Sequence, residues 1–314
     1  MEMQKEHVIA LIWDFDKTLI AGDMQEPLFN KFKVSSKVFW EEVDNLSKFY
    51  LQNGIAINQD NIYLNHILTY VNHNIFKNLS NKMLFDFGSE LKLLPGLPDF
   101  FSEIKDVLHE KYNNKVKIEH YIVSNGLKRI IMGSDIYQYV EKVWGSEYIE
   151  VPAVPNYLHI GDRPLGNSSP IISQVGYAFD HTSKTRTLFE INKGINKYKD
   201  IRLNQKIPLS SRRIPFEQMI YIADGESDIP AFSLVNKYGG KTFGVYPEGN
   251  EYIEEQVKKL YKDKRIMGFG KGNYTRSSYT YNWIINSAIE IAENILENQN
   301  CEVKSIGEPL NIKF

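Results

Sequence analysis

The chain has 314 residues, 42% of them hydrophobic and 24% charged, with a formal net charge of −2. That length accommodates a catalytic domain plus an accessory one, and so balanced a charge gives no support for a nucleic-acid or anionic-membrane surface. A single cysteine, Cys301, excludes an internal disulfide framework or a thiolate zinc site, and no apolar run reaches membrane-spanning length.

Residues 1–7 are polar and lead into an apolar run too short for a signal-peptide core, so a soluble cytoplasmic protein is expected. That run, Val8-Ile9-Ala10-Leu11-Ile12-Trp13, reads as a buried strand. Asp14-Phe15-Asp16-Lys17-Thr18 follows at its C-terminal end, where open α/β sheets bind ligands. Residues two apart in an extended chain point the same way, so Asp14 and Asp16 offer two carboxylates to one cleft. From 20 to 92, aromatics and aliphatics recur at helical spacing, as in Ile62-Tyr63 with Ile67-Leu68 and Val71, which predicts a helical insertion.

Beyond Leu94 the pattern predicts a helix over 99–112, a strand over 117–123, a helix over 127–139 and a short strand near 148–151. The stretch 152–179, rich in Pro, Gly and Ser, predicts a hairpin or loop excursion. A helix over 184–192 comes next, then a strand over 218–223 that ends on Asp224-Gly225-Glu226-Ser227-Asp228. A strand over 241–246, a helix after Pro247 and an amphipathic helix over 283–296 complete the series. Gly268-Phe269-Gly270-Lys271-Gly272-Asn273 looks like a phosphate loop, but no apolar strand leads into it and no Ser or Thr follows the lysine, so a plain loop is expected. The alternation predicts an α/β fold with a doubly wound, mostly parallel sheet, formed by 1–19 and 93–314 around the insertion at 20–92.

Four polar sites follow predicted strands or open predicted helices: Asp14 with Asp16, Ser124-Asn125-Gly126, Lys184, and Asp224 with Asp228. Singly, each reads as a turn former or helix cap. Three of them close apolar strands, so in a parallel sheet they converge on one edge. Paired acids at a strand end suit metal-assisted phosphoryl transfer, one acid as nucleophile and the other as proton donor. Lys193 and Lys197 compete for the role of Lys184, which is favoured because it follows Asp180-His181-Thr182-Ser183 at a predicted helix N-terminus.

In this order the four segments resemble the haloacid dehalogenase (HAD) superfamily of phosphohydrolases, in particular its phosphoserine-phosphatase-like branch. The resemblance implies a Rossmann-like core, a helical cap at 20–92, and Mg²⁺-dependent hydrolysis of a small phosphomonoester through an aspartyl-phosphate. It implies Asp14 as nucleophile and Asp16 as general acid and base, with Thr18 closing the turn and its hydroxyl supporting Asp16 in the phosphate pocket. Ser124, Asn125, Gly126 and Lys184 would hold the phosphoryl oxygens. Asp14, Asp224 and the Asp16 backbone carbonyl would hold Mg²⁺, and Asp228 would orient Lys184 or a metal-bound water. A phosphomutase and a non-catalytic binding protein of the same fold stay open, and the oligomeric state is not set by the sequence.

The partner expected is a small phosphorylated metabolite, with neither nucleic acid nor membrane involved. The insertion has no arginine, the residue best shaped to clamp a carboxylate, which disfavours phosphoserine itself. Its aromatics, with Asp23 and Glu26, favour a neutral or cationic leaving group, unless those aromatics form the insertion's own core.

Overall fold

A computed structural model describes residues 7–159 and 170–307. The chain opens with β1 (Val8–Trp13) and continues through α1 (Glu26–Phe32), α2 (Ser36–Leu51), α3 (Ile62–Asn72) and α4 (Asn81–Phe87). Next come α5 (Asp99–Tyr112), β2 (Lys117–Leu127), α6 (Lys128–Gly133), β3 (Lys142–Ile149), β4 (Gln174–Tyr177) and α7 (His181–Lys193). The remainder is β5 (Met219–Ala223), α8 (Ile229–Lys237), β6 (Lys241–Tyr246), α9 (Glu251–Lys262), β7 (Gly268–Lys271) and α10 (Tyr279–Gly307).

Among the described residues, seven strands form one sheet in the order β4-β3-β2-β1-β5-β6-β7. Every neighbouring pair is parallel except β3 with β4. The chain winds outward from β1 through β2 to β3, then returns to lay β5 on the other flank of β1. The strand order therefore reverses between β1 and β5, and that crevice is where a doubly wound sheet binds its ligand.

Each residue of β1 is buried, since both sheet faces are covered. Ile9, Leu11 and Trp13 face one apolar cluster, with α5, α10 and the helices of 20–92. Val8, Ala10 and Ile12 face the other, with α7, α8 and α9. At the end of β1, Trp13 packs against Phe101 with ring centroids 5.3 Å apart. Its indole N–H donates to His120 Nδ1 at 3.3 Å, and burial holds that imidazole neutral by pushing its pKa well down. These contacts fix the strand end that carries Asp14 on that face. No helix among the described residues is long and apolar enough to cross a membrane.

Several boundaries differ from expectation for identifiable reasons. The helix expected over 127–139 is only α6 plus a 3-10 turn at Tyr137–Tyr139, because β2 runs on through a bulge to Leu127. β3 begins at Lys142 rather than near 148, and its antiparallel pairing with β4 gives the hairpin within 152–179, of which residues 160–169 lie outside those described. The glycine-rich stretch at 268 is the strand β7, not a loop. Its glycines are required by packing: a Cβ on Gly268 would meet Trp283 Nε1 at 2.5 Å.

Candidate active site

Where β1 stops, the Asp14 N–H still donates to the Ile222 carbonyl of β5 at 2.9 Å, which directs Asp14 into the β1–β5 crevice. Asp224 follows directly after β5, and a 3-10 turn at Glu226–Asp228 carries Asp228 back toward it. Oxygens of Asp14, Asp224 and Asp228 all lie within 4.8 Å of one another. Lys184 enters this group from the first turn of α7. The turn is set by Asp180, whose Oδ1 accepts from the Ser183 N–H at 2.7 Å, so the helix starts three residues before the expected 184.

The Lys184 ammonium is 1% exposed, 2.8 Å from Asp228 Oδ1 and 3.3 Å from Asp14 Oδ2. Asp228 also accepts from Tyr221 Oη at 2.5 Å and Ser227 Oγ at 2.8 Å, so its oxygens are committed to holding Lys184 in place. No sequence motif marks Tyr221 as part of the site. Its only signal in the chain is a hydroxyl inside an otherwise apolar strand. Lys193 and Lys197 are engaged elsewhere: Lys193 donates to the Leu203 and Gln205 carbonyls, and Lys197 pairs with Glu141 at 2.6 Å.

Buried Asp14 and Asp228 and the half-buried Asp224 face one buried lysine, and two of these acids are held above the usual carboxylate range. Burial pushes Asp14 up to about 6, against the pull of Lys184 and with the charge of Asp228 adding to the rise. Burial, then the charges of Asp14 and Asp228, pushes Asp224 up to about 8. Burial works against the Lys184 charge, yet Asp14 and Asp228 outweigh it and raise that group above the ordinary lysine value. A cluster of hard oxygen donors with uncompensated charge fits a divalent cation of the Mg²⁺ type.

Asp16 stands outside the three-acid cluster among the described residues, so its carboxylate is free for other work. Its Oδ1 accepts from the Met24 N–H at 2.7 Å. Burial, then the charges of Asp23 and Asp14, holds it well above the usual carboxylate range. Thr18 is fully buried, but its Oγ1 has no hydrogen-bond partner among the described residues, so the expected support of Asp16 by that hydroxyl is not found. Met24 takes that place, because Lys17 in the left-handed region (φ 56°) turns the chain back over Asp16. Thr18 anchors the turn through its carbonyl, which accepts from Tyr274 Oη at 2.6 Å.

Ser124, Asn125 and Gly126 form the bulge of β2: four steps from Val123 to Leu127 oppose two from Trp144 to Ser146. Ser124 is 1% exposed, and its Oγ accepts from the Gly126 N–H at 3.0 Å. Gly126 permits a close approach, since a Cβ there would meet the Met24 side chain at 2.2 Å and Asp16 Oδ2 at 3.3 Å. This places the bulge beside Asp16. From the insertion, Tyr63 Oη donates to the Asn125 carbonyl at 2.8 Å, a contact with no signature in the sequence. Asp23 is paired with Lys17 at 2.7 Å, and the insertion's aromatics pack on one another, as Phe29 does on Phe39 at 5.0 Å, which is the arrangement of an apolar core.

No protein-family model matches the chain. An uncharacterized protein of Borreliella burgdorferi is 43% identical over 286 residues, covering 90% of this chain and 97% of that one. The chain belongs to the same family as this relative. Among solved structures it is similar to a HAD family hydrolase from Salmonella enterica serovar Typhi, at 14% identity and TM-score 0.47, covering 81% of this chain and 66% of that one. It is likewise similar to a probable phosphoserine phosphatase from Vibrio cholerae, at 13% identity and TM-score 0.48, covering 91% of this chain and 67% of that one. A phosphoserine phosphatase with a phospho-aspartyl intermediate analogue matches at 14% identity and TM-score 0.44, covering 83% of this chain and all of that one. These are likenesses of shape; the chemistry is read from the site itself.

Proposed function

We propose that the chain is a Mg²⁺-dependent HAD-type phosphohydrolase that cleaves a small phosphomonoester through an aspartyl-phosphate on Asp14. The observation carrying this reading is the meeting of Asp14, Asp224 and Asp228 at the strand-order reversal, with Lys184 Nζ 3.3 Å from Asp14. The Asp14 carboxylate attacks phosphorus while Lys184 holds its orientation and offsets charge on the incoming phosphoryl group. Asp16, kept protonated by burial and neighbouring acids, gives its proton to the leaving oxygen and then takes one from the water that cleaves the acyl phosphate. The Ser124 hydroxyl and neighbouring N–H groups hold phosphoryl oxygens. Asp14, Asp224 and the Asp16 backbone carbonyl would hold Mg²⁺, which would supply the positive charge an anionic ester needs in an acidic pocket. Asp228 acts through Lys184.

In this reading α1–α4 serve as a cap over the core built from 1–19 and 93–314, and the absence of arginine there turns the enzyme away from phosphoserine. Phosphate release from p-nitrophenyl phosphate tests it, with and without Mg²⁺, comparing wild type with Asp14→Asn. Mg²⁺-dependent release by the wild type and a loss of at least about a thousandfold in the variant are expected. Equal behaviour of the two proteins contradicts the reading and favours a non-catalytic binding protein.

A further inference from the structure

The bulge of β2 interrupts the ladder between β2 and β3, which leaves the Asn125 carbonyl without a strand partner. Two side chains take it up. Tyr63 Oη donates at 2.8 Å from α3, and Ser146 Oγ donates at 3.2 Å from β3. Both residues are buried, at 5% and 1% exposure. The other end of the same peptide unit is the Gly126 N–H, which donates to Ser124 Oγ at 3.0 Å. In a trans peptide the C=O and N–H point in opposite directions, so fixing the carbonyl of Asn125 fixes the N–H of Gly126. Gly126 has no side chain with which to hold its own peptide plane.

A hydroxyl that accepts a hydrogen bond has its own proton left to give elsewhere. The Gly126 N–H occupies a lone pair of Ser124 Oγ, so the Ser124 proton turns away from the bulge, and Asp16 Oδ2 flanks the same glycine. Hydrogen bonds in series strengthen one another in a dry interior. We propose that Tyr63 is a positioning residue: through the Asn125–Gly126 peptide it aims and polarises the Ser124 hydroxyl as a donor to the substrate's phosphoryl oxygen. The inference rests on the phosphatase reading and adds to it a link between the inserted helices and the phosphate pocket. The pocket is complete only while α3 is seated, because one of the two donors on the Asn125 carbonyl comes from that helix.

The test is a double-mutant cycle on the full-length chain with Mg²⁺, using Tyr63→Phe, Ser124→Ala and the combination. The readouts are kcat and KM on p-nitrophenyl phosphate, affinity for orthovanadate, and the melting temperature. Tyr63→Phe removes one hydroxyl, and a kcat loss of about tenfold with KM changed less than about threefold is expected, with vanadate bound correspondingly more weakly. In the Ser124→Ala background the same change is expected to have little further effect, which a purely structural role for Tyr63 would not produce. Tyr70→Phe, which removes a hydroxyl bonded to Glu42 on the outer side of the insertion, is expected to match wild type. Should Tyr63→Phe fold poorly, Ser146→Ala removes the second donor on the same carbonyl and should give the same pattern. Wild-type behaviour of Tyr63→Phe, or losses that multiply fully in the double variant, overturns the inference alone. A wild type that neither releases phosphate nor binds vanadate overturns the function beneath it.

Discussion

Asp14 and Asp224 are held above the carboxylate value of an unfolded chain, near 3.9, so their contribution to stability is fully present below that pH. It is lost as pH rises through about 6 for Asp14 and about 8 for Asp224. Without metal, Asp224→Asn is therefore expected to be more stable than wild type near pH 8 by about 1 kcal/mol, with the difference shrinking toward pH 5. Thermal melts in chelator measure this, and Mg²⁺ should reverse the order near pH 8. A variant less stable than wild type near pH 8 in chelator would show that the acids do not repel one another. The sequence made these acids legible, because each follows an apolar run and falls in a recognisable order. It did not make their supports legible. Tyr221, Tyr63 and Met24 act through a hydroxyl or a backbone N–H whose direction depends on tertiary contacts.

At the scale of elements, α7 delivers Lys184 and its start depends on one cap. Asp180→Ala removes the acceptor for the Ser183 N–H and is expected to destabilise the protein by about 1 kcal/mol, while Asp180→Asn, which keeps an oxygen there, should cost much less. Urea midpoints distinguish them, and equal loss in both variants would assign the effect to charge instead of capping. Strands buried on both faces, such as β1 and β5, were readable because they are continuous apolar runs, and α5 matched residue for residue because its apolar positions keep helical spacing. β7 was unreadable for a contrary reason. An edge strand needs only backbone pairing, and its glycines answer to the α10 side chains pressed against them, which a local pattern does not contain. The bulge at 124–126 looked like a turn because Ser-Asn-Gly is turn chemistry, and only pairing with β3 reveals it as strand.

For the molecule as a whole, alternating strands and helices announced a parallel doubly wound sheet, but alternation does not say on which side of β1 the chain returns. The structure lays β5 against β1, and that placement unites Asp14 with Asp224 across 210 positions of sequence. Packing of the inserted helices is continuous with the core, as the aromatics of α1–α3 share one apolar cluster with Ile9, Leu11 and Trp13. The central claim is that Asp14 bonds covalently to the transferred phosphoryl group. Acid quenching of the enzyme during turnover with Mg²⁺, followed by peptide mass mapping, measures this directly. A phosphoryl group on the peptide containing Asp14, absent in Asp14→Asn, is the predicted result; steady phosphate release with no modified enzyme at any quench time would contradict it.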